Sequence, residues 1–262
     1  MININNIKSY VINLEKYKKK YDLCLKRLSN INISPNRFNA IYIDNENDDE
    51  IKKITYPSVQ YTIKNGRYAH NNIGSKGAIG CYLSHTTLWK KLLESNEDMF
   101  LIFEDDVDIN ENINNFNSKI NNNLNLINNN DWDVIFLGYF NFNENEVNKK
   151  YTKVKNIIYG THAYLINKKG AQKLLNNAFP IVDQIDSYMS FMAINRNVNS
   201  YMTSDVFFIQ NNTAGTVIQT DHSIRPFITQ YNDKLILSII ILVVLFVVLF
   251  LYLCISFRNI KN

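Results

Sequence analysis

The chain has 262 residues, 46% of them hydrophobic, and a formal net charge of +4, which suits one sizeable domain with an ordinary core and leaves too little sequence for a second. Its basic residues are dispersed apart from the run Lys18-Lys19-Lys20, so the clustered positive face of a nucleic-acid binder is missing. The 3 cysteines, Cys24, Cys81 and Cys254, are odd in number and widely spaced, which gives neither a disulfide framework nor a zinc motif.

The run 9–14 is β-branched and apolar and predicts a strand, and Tyr21, Leu25 and Leu28 at helical spacing predict a helix over 17–28. A second strand is predicted at 37–43. The acidic run 44–50 reads as solvated loop, and 56–72 has no clear period and also reads as loop. A glycine-containing turn at 74–80 leads into an amphipathic helix over 79–94 that buries Leu83, Leu88, Trp89 and Leu92. The compact apolar strand 99–103 runs straight into Glu104-Asp105-Asp106. A helix is predicted at 112–130, a buried strand at 134–137 ended by Gly138, polar loop at 141–150 and a strand at 160–166. A helix over 168–178 is capped by Asn167. Pro180 breaks the chain before a helix over 182–194, and 206–210 is a late strand. Alternating strands and helices imply an α/β domain with a mostly parallel sheet.

The N-terminus has no apolar core of signal-peptide length. The run 235–257 is almost wholly apolar, and as a helix it would extend about 34 Å, enough to cross a hydrocarbon core of about 30 Å. The chain is therefore divided into a domain over 1–233 and a transmembrane anchor with a short tail over 234–262. The expectation is a single-pass membrane protein, held in a lipid bilayer by its C-terminus, with a cytosolic domain. Basic residues flank both ends of the segment and do not orient it.

Three acids at the end of a buried strand are the sharpest chemical feature. Ligands of open α/β sheets bind at the carboxyl ends of strands, and clustered carboxylates repel one another unless a cation offsets them. Oxygen ligands suit Mg²⁺ or Mn²⁺, which commonly bridge to substrate phosphates. An ordinary charged turn is the bland alternative, and Asp108 adds a fourth acid. Cys81 and His85 lie four apart on a predicted helix face, a spacing open to a Cys–His nucleophile pair but commoner as core packing. His162 reads more readily as a structural histidine than as a site residue.

Several blocks resemble glycosyltransferase family 25, the lipooligosaccharide and collagen hydroxylysine galactosyltransferases. In order these are Tyr10-Val11-Ile12-Asn13-Leu14, Arg37-Phe38-Asn39-Ala40, Gly77-Ala78-Ile79-Gly80-Cys81-Tyr82-Leu83-Ser84-His85 with Leu88-Trp89, Phe103-Glu104-Asp105-Asp106-Val107, Asp131-Trp132-Asp133 with Phe136-Leu137-Gly138, and Gly160-Thr161-His162-Ala163-Tyr164. The resemblance implies a GT-A-type nucleotide-sugar-binding fold and an inverting, metal-dependent hexosyltransferase. That enzyme would take a UDP-sugar, galactose or glucose, and a glycan, glycolipid or hydroxylysine acceptor. It makes Glu104, Asp105 and Asp106 the metal site for Mn²⁺ or Mg²⁺, and Asn13, Ser84, His85 and Asp105 donor-side residues. Two departures stand out. Lys18-Lys19-Lys20 replace the arginines usual after the opening strand, and lysine offers no bidentate fork to a phosphate. Ala78 stands where a Glu is usual.

For a general base, the residues offer Asp183 and Asp186, three apart on the predicted helix after Pro180. Asp183 falls in its first turn, where an acid steadies the helix dipole without chemistry. Asp186 lies in Ile185-Asp186-Ser187-Tyr188-Met189, which resembles the family's late acidic segment, and is the favoured base. The alternative to an enzyme is an inactive, membrane-tethered carbohydrate-binding or scaffold module on the same fold. A phosphotransferase fits less well, because no glycine-rich phosphate cradle follows the first strand.

Overall fold

The computed structural model describes residues 2–44, 48–140, 151–196 and 198–211. A seven-stranded sheet forms its centre, built from β1 (Ser9–Asn13), β2 (Asn36–Asn39), β3 (Met99–Glu104), β5 (Val134–Phe140), β6 (Tyr151–Lys153), β7 (Tyr159–Asn167) and β8 (Ser200–Thr203) in the order β2-β1-β3-β7-β5-β8-β6. The pairs β1–β2, β1–β3 and β5–β8 are parallel, while β7 runs against both β3 and β5, and β6 against β8. Five of the seven strands therefore point one way, and the α/β fold with a mostly parallel sheet is as expected. A separate antiparallel ribbon joins β4 (Val107–Ile109) to β9 (Phe208–Gln210).

The alternation of side chains along each strand separates two cores. Tyr10, Ile12, Phe100, Ile102, Val134, Phe136, Tyr164 and Ile166 point to one face. They pack there under α4 (Lys76–Glu94), α6 (Lys168–Leu175) and α7 (Ile185–Asn195). Val11, Leu101, Phe103, Ile135, Leu137 and Leu165 point to the other, under α1 (Lys18–Ser29) and α5 (Phe116–Asn128). Each fully buried Leu, Ile or Phe adds roughly 1.5–3 kcal/mol. The helix α4 starts where Ser75 Oγ accepts the Ala78 N–H at 3.2 Å, and α6 where Asn167 Oδ1 accepts the Gly170 N–H at 2.8 Å, so each cap satisfies an otherwise orphan donor.

Several expectations are corrected. The run 44–50 is not all loop, because α2 spans Asp48–Ile54 and turns Ile51 and Ile54 toward the core. The expected loop 56–72 contains α3 (Pro57–Asn65), with Pro at its start. Its inward stripe includes Thr62, whose hydroxyl donates to the Ile73 carbonyl at 2.7 Å; a polar residue on the buried face hides the period. Gly138 does not end its strand. β5 continues to Phe140, with a register shift at Gly138, where a Cβ would stand 2.4 Å from His162 Nε2. The helix after Pro180 begins at Ile185 rather than 182, because Asp183 bridges to Asn72 in extended pairing. Asp186, not Asp183, thus occupies the first turn.

The membrane expectation is also corrected. Among the described residues no helix is long and apolar enough to cross a membrane. The segment 234–262, on which the anchor rested, lies outside the described residues, and neither the bilayer partner nor the cytosolic placement is carried forward.

Candidate active site

Parallel pairing sets the ends of β1 and β3 side by side, with Ile12 opposite Glu104. The chain then turns at Asp105-Asp106 into β4. The acidic triplet is thus a tight strand-to-strand turn at the carboxyl edge of the sheet, where ligands of α/β folds bind. β9 folds back over it. Gln210 Nε2 donates to Asp106 Oδ2 at 2.6 Å, and the Asn211 N–H donates to the Asp106 carbonyl at 2.7 Å.

A cavity of about 320 Å³ opens over this turn. Its floor holds Cys81, Ser84 and the three acids, and its rim carries Lys16, Tyr17, Lys20 and Tyr42. Ser84 braces the wall: its hydroxyl donates to the Gly80 carbonyl at 2.7 Å and accepts the Ile41 N–H at 2.9 Å. Gly80 is required there, since a Cβ would sit 2.4 Å from the Ile41 carbonyl oxygen. Lys16 Nζ lies 4.3 Å from the centre of the exposed Tyr42 ring, a cation–π contact at the rim.

The three acids differ in environment. Glu104 accepts from Thr161 Oγ1 at 2.6 Å and lies 3.4 Å from His85 Nε2. Burial raises its pKa, but His85 and the Thr161 hydroxyl outweigh burial and hold it below the usual range. Asp105 is raised by burial, opposed by the hydrogen bond from Asn13. Asp106 is pushed up to about 7 by burial and then by the Glu104 charge, against the Gln210 hydrogen bond. Asp106 Oδ1 is buried without a hydrogen-bond partner among the described residues. A buried carboxylate oxygen left bare beside other acids fits a hard divalent cation, which would supply the missing charge and ligand site. Asp105 and Asp106 suit that role best, because Glu104 is turned into the His85 and Thr161 contacts. Asp108 is not part of the group; it pairs with Arg27 Nε at 3.3 Å and accepts from Asn211 Nδ2 at 2.9 Å.

Of the expected donor-side residues, Asp105 and Ser84 line the cavity. Asn13 is buried and acts through Asp105, to which its Nδ2 donates at 2.6 Å; it also donates to the Tyr17 carbonyl and accepts from Arg37 Nε at 2.9 Å. His85 is fully buried behind the floor, with Nδ1 2.9 Å from Tyr164 Oη, which also accepts from Trp89 Nε1 at 2.9 Å. Burial and the nearby acids push the Cys81 thiol well above its usual range, so an activated thiolate nucleophile is not what this environment makes. His162 is structural: buried, it donates from Nε2 to the Phe208 carbonyl at 3.1 Å.

Asp183 and Asp186 do not line the cavity. Asp186 Oδ2 accepts the Gly160 N–H at 3.0 Å, and Oδ1 accepts the Ser187 N–H at 2.6 Å; burial still raises its pKa, with the Glu104 charge adding to it. Asp183 Oδ1 accepts from Asn71 Nδ2 at 2.8 Å, and burial raises its pKa too. Arg37, Thr161 and Tyr164 stand in blocks of the resemblance without a role there, and Gln210 stands in none; their contacts at the site come from the fold. Each meets the site across a sequence gap that no local pattern spans.

The sequence matches the glycosyltransferase family 25 (LPS biosynthesis protein) family model over residues 6–189. This chain belongs to glycosyltransferase family 25. That is the family its motifs resemble, and the match covers every block of the resemblance. Among similar proteins, procollagen galactosyltransferase 1-A of Xenopus laevis is 25% identical over 199 residues, covering 73% of this chain and 32% of that one. Procollagen galactosyltransferase 2 of Homo sapiens is 26% identical over 198 residues, covering 73% and 31%. A Rattus norvegicus protein named probable inactive glycosyltransferase 25 family member 3 is 32% identical over 105 residues, covering 38% and 18%. The chain thus spans about a third of the length of the first of these relatives. A solved structure titled as a glycosyltransferase involved in the glycosylation of the major capsid of PBCV-1 aligns with a TM-score of 0.40 at 9% identity, over 81% of this chain and 94% of that one.

Proposed function

We propose that this chain is a metal-dependent hexosyltransferase of GT-A type, inverting in stereochemistry, that takes a UDP-sugar into the cavity beside Asp105 and Asp106. The catalytic unit is proposed to lie within 1–233. The observation that carries the reading is the buried Asp106 Oδ1, without a hydrogen-bond partner among the described residues, on a cavity floor whose rim carries Lys16 and Lys20. A bound Mn²⁺ or Mg²⁺ supplies charge neutralisation for a departing diphosphate. The protein's own part is positional. Asn13 and Gln210 fix the two aspartates from opposite sides, Lys20 adds positive charge that favours their ionised forms, and Tyr17 and Tyr42 offer ring faces to a base. The donor sugar is galactose or glucose, and the acceptor a hydroxyl of a glycan, glycolipid or hydroxylysine.

Asp186 is proposed as the general base, with Asp183 as competitor. Two backbone N–H groups hold the Asp186 carboxylate rigid, and its raised pKa moves toward the range useful for accepting a proton. An inactive module on the same fold is the second reading, favoured by one relative's name. Retention of three mutually repelling acids speaks for the enzyme. The test is a panel of UDP-sugars with purified full chain and Mn²⁺, scored for acceptor-free hydrolysis. Turnover of one UDP-hexose that stops with EDTA supports the proposal, and no turnover or binding of any member overturns it.

A further inference from the structure

Cys81 and His85 lie one helical turn apart on α4, and Glu104 ends β3 beside them. Cys81 Sγ, His85 Nε2 and a Glu104 carboxylate oxygen all lie within 4.8 Å of one another. Among the described residues His85 Nε2 is buried without a hydrogen-bond partner, its nearest charged neighbour being Glu104 Oε1 at 3.4 Å. We propose that Cys81 Sγ, His85 Nε2 and the Glu104 carboxylate form a binding site for a borderline-soft divalent cation of the zinc class, separate from the hard-cation position at Asp105 and Asp106.

The ligand chemistry separates the two positions. One sulfur, one imidazole and one carboxylate are a zinc set, while carboxylate oxygens alone suit Mg²⁺ or Mn²⁺. A tetrahedral ion with nitrogen and oxygen ligands near 2.0 Å spaces them about 3.3 Å apart. The His85 to Glu104 separation of 3.4 Å already matches, and the thiol has only a short distance to close. Outer contacts are in place as well. Tyr164 Oη lies 2.9 Å from His85 Nδ1 and is held by the Trp89 indole N–H, and the Thr161 hydroxyl donates to Glu104. Such partners orient metal ligands and fix the imidazole tautomer.

On binding, the Cys81 thiol releases its proton to solvent and the sulfur bonds to the ion. The imidazole would bind as the tautomer with its proton on Nδ1, donated to Tyr164 Oη, and the proton that Nε2 directs at Glu104 would leave to solvent, which frees the Nε2 lone pair for the ion. Cys81 and Glu104 both line the cavity, so the ion enters from there and a water completes its fourth position, the open arrangement of a three-ligand zinc site. No local sequence motif spans these ligands, because Glu104 stands 19 positions beyond His85. The inference does not depend on transferase activity.

The test is a titration of full-length, metal-stripped protein with Co²⁺ and then Zn²⁺, in excess Mg²⁺ to fill the hard position. One equivalent of Co²⁺ with a thiolate charge-transfer absorption, displaced by Zn²⁺, is expected. Cys81→Ala should remove that absorption and weaken binding about 100-fold or more. Tyr164→Phe should weaken it about 10- to 100-fold through the outer contact alone. Asp106→Asn should leave it unchanged, so loss of the hard-cation position and loss of this one are read apart. His85→Gln adds a second ligand test, and if it fails to fold, Cys81→Ala decides alone. A Co²⁺ complex without the thiolate absorption, or undiminished binding in Cys81→Ala, overturns the proposal.

Discussion

Asn13 at the end of β1 donates a 2.6 Å hydrogen bond from Nδ2 to Asp105 Oδ2, just past the end of β3. The oxygen of the same side-chain amide accepts from Nε of Arg37, a residue of β2, at 2.9 Å. One buried amide therefore links three neighbouring strands to the acidic turn, and Asp105 takes its orientation from a residue 92 positions earlier.

Asn13→Ala should cost about 1.5–3 kcal/mol of stability, the range for a hydrogen bond to a charged group. It should also weaken donor binding. Asn13→Asp should do worse, because it sets a second carboxylate against Asp105. Thermal melts and the KM for the UDP-sugar check both, and an Asn13→Asp protein with unaltered melting and KM would contradict this role.

Asp105→Asn and Asp106→Asn should fold and lose transfer by at least about 100-fold, since each removes a carboxylate proposed to hold the cation that would neutralise the departing diphosphate. Wild-type turnover should vanish with EDTA and return with Mn²⁺ or Mg²⁺. Asp108→Asn should be much milder, because Asp108 faces Arg27 and Asn211 instead. Initial rates across the three variants, with circular dichroism for folding, provide the comparison.

The metal-free protein should lose stability as pH rises. Asp106 has a folded pKa of about 7 against an ordinary 3.8, so the folded state holds the proton more tightly between those values. Its contribution is fully present below about pH 4 and is lost as pH climbs through 7, by at most about 4 kcal/mol. Other carboxylates titrate with their own signs, so the quantity to read is the difference between wild type and Asp106→Asn. That difference should grow across this window in EDTA and shrink when Mn²⁺ is present.

Asp186→Asn should keep UDP-sugar binding and lose kcat by several orders of magnitude, because a base acts only in the transition state. Asp183→Asn should retain most of its turnover. The reverse pattern, a dead Asp183→Asn beside an active Asp186→Asn, would transfer the assignment to Asp183.

Gly80→Ala should destabilise the domain by about 1–3 kcal/mol, the usual cost of overpacking, because the new methyl group would press on the Ile41 carbonyl. The segment carrying Ile41, Tyr42 and Ile43 forms one wall of the cavity. Donor affinity should fall with stability, and isothermal titration with UDP reads it without turnover.

The sequence alone determined what depends on neighbours along the chain. Continuous apolar runs at 99–103 and 134–137 mark the buried strands, helical spacing marks α1 and α4, and Asn167 marks the start of α6 through its own cap. Three acids directly after a buried strand mark the candidate site, since a compact apolar run must end where charge begins. Short pieces escaped that logic. β4, β6 and β8 have 3, 3 and 4 residues, too few for a period, and they exist because a partner strand supplies hydrogen bonds. Only tertiary structure decided what each acid faces. Glu104 meets Thr161 and His85, Asp105 meets Asn13, and Asp106 meets Gln210 and keeps one oxygen without a hydrogen-bond partner among the described residues. The three acids share one local sequence, yet burial and partners from distant strands and helices set their charges apart, because electrostatic environment is a property of space rather than of position in the chain.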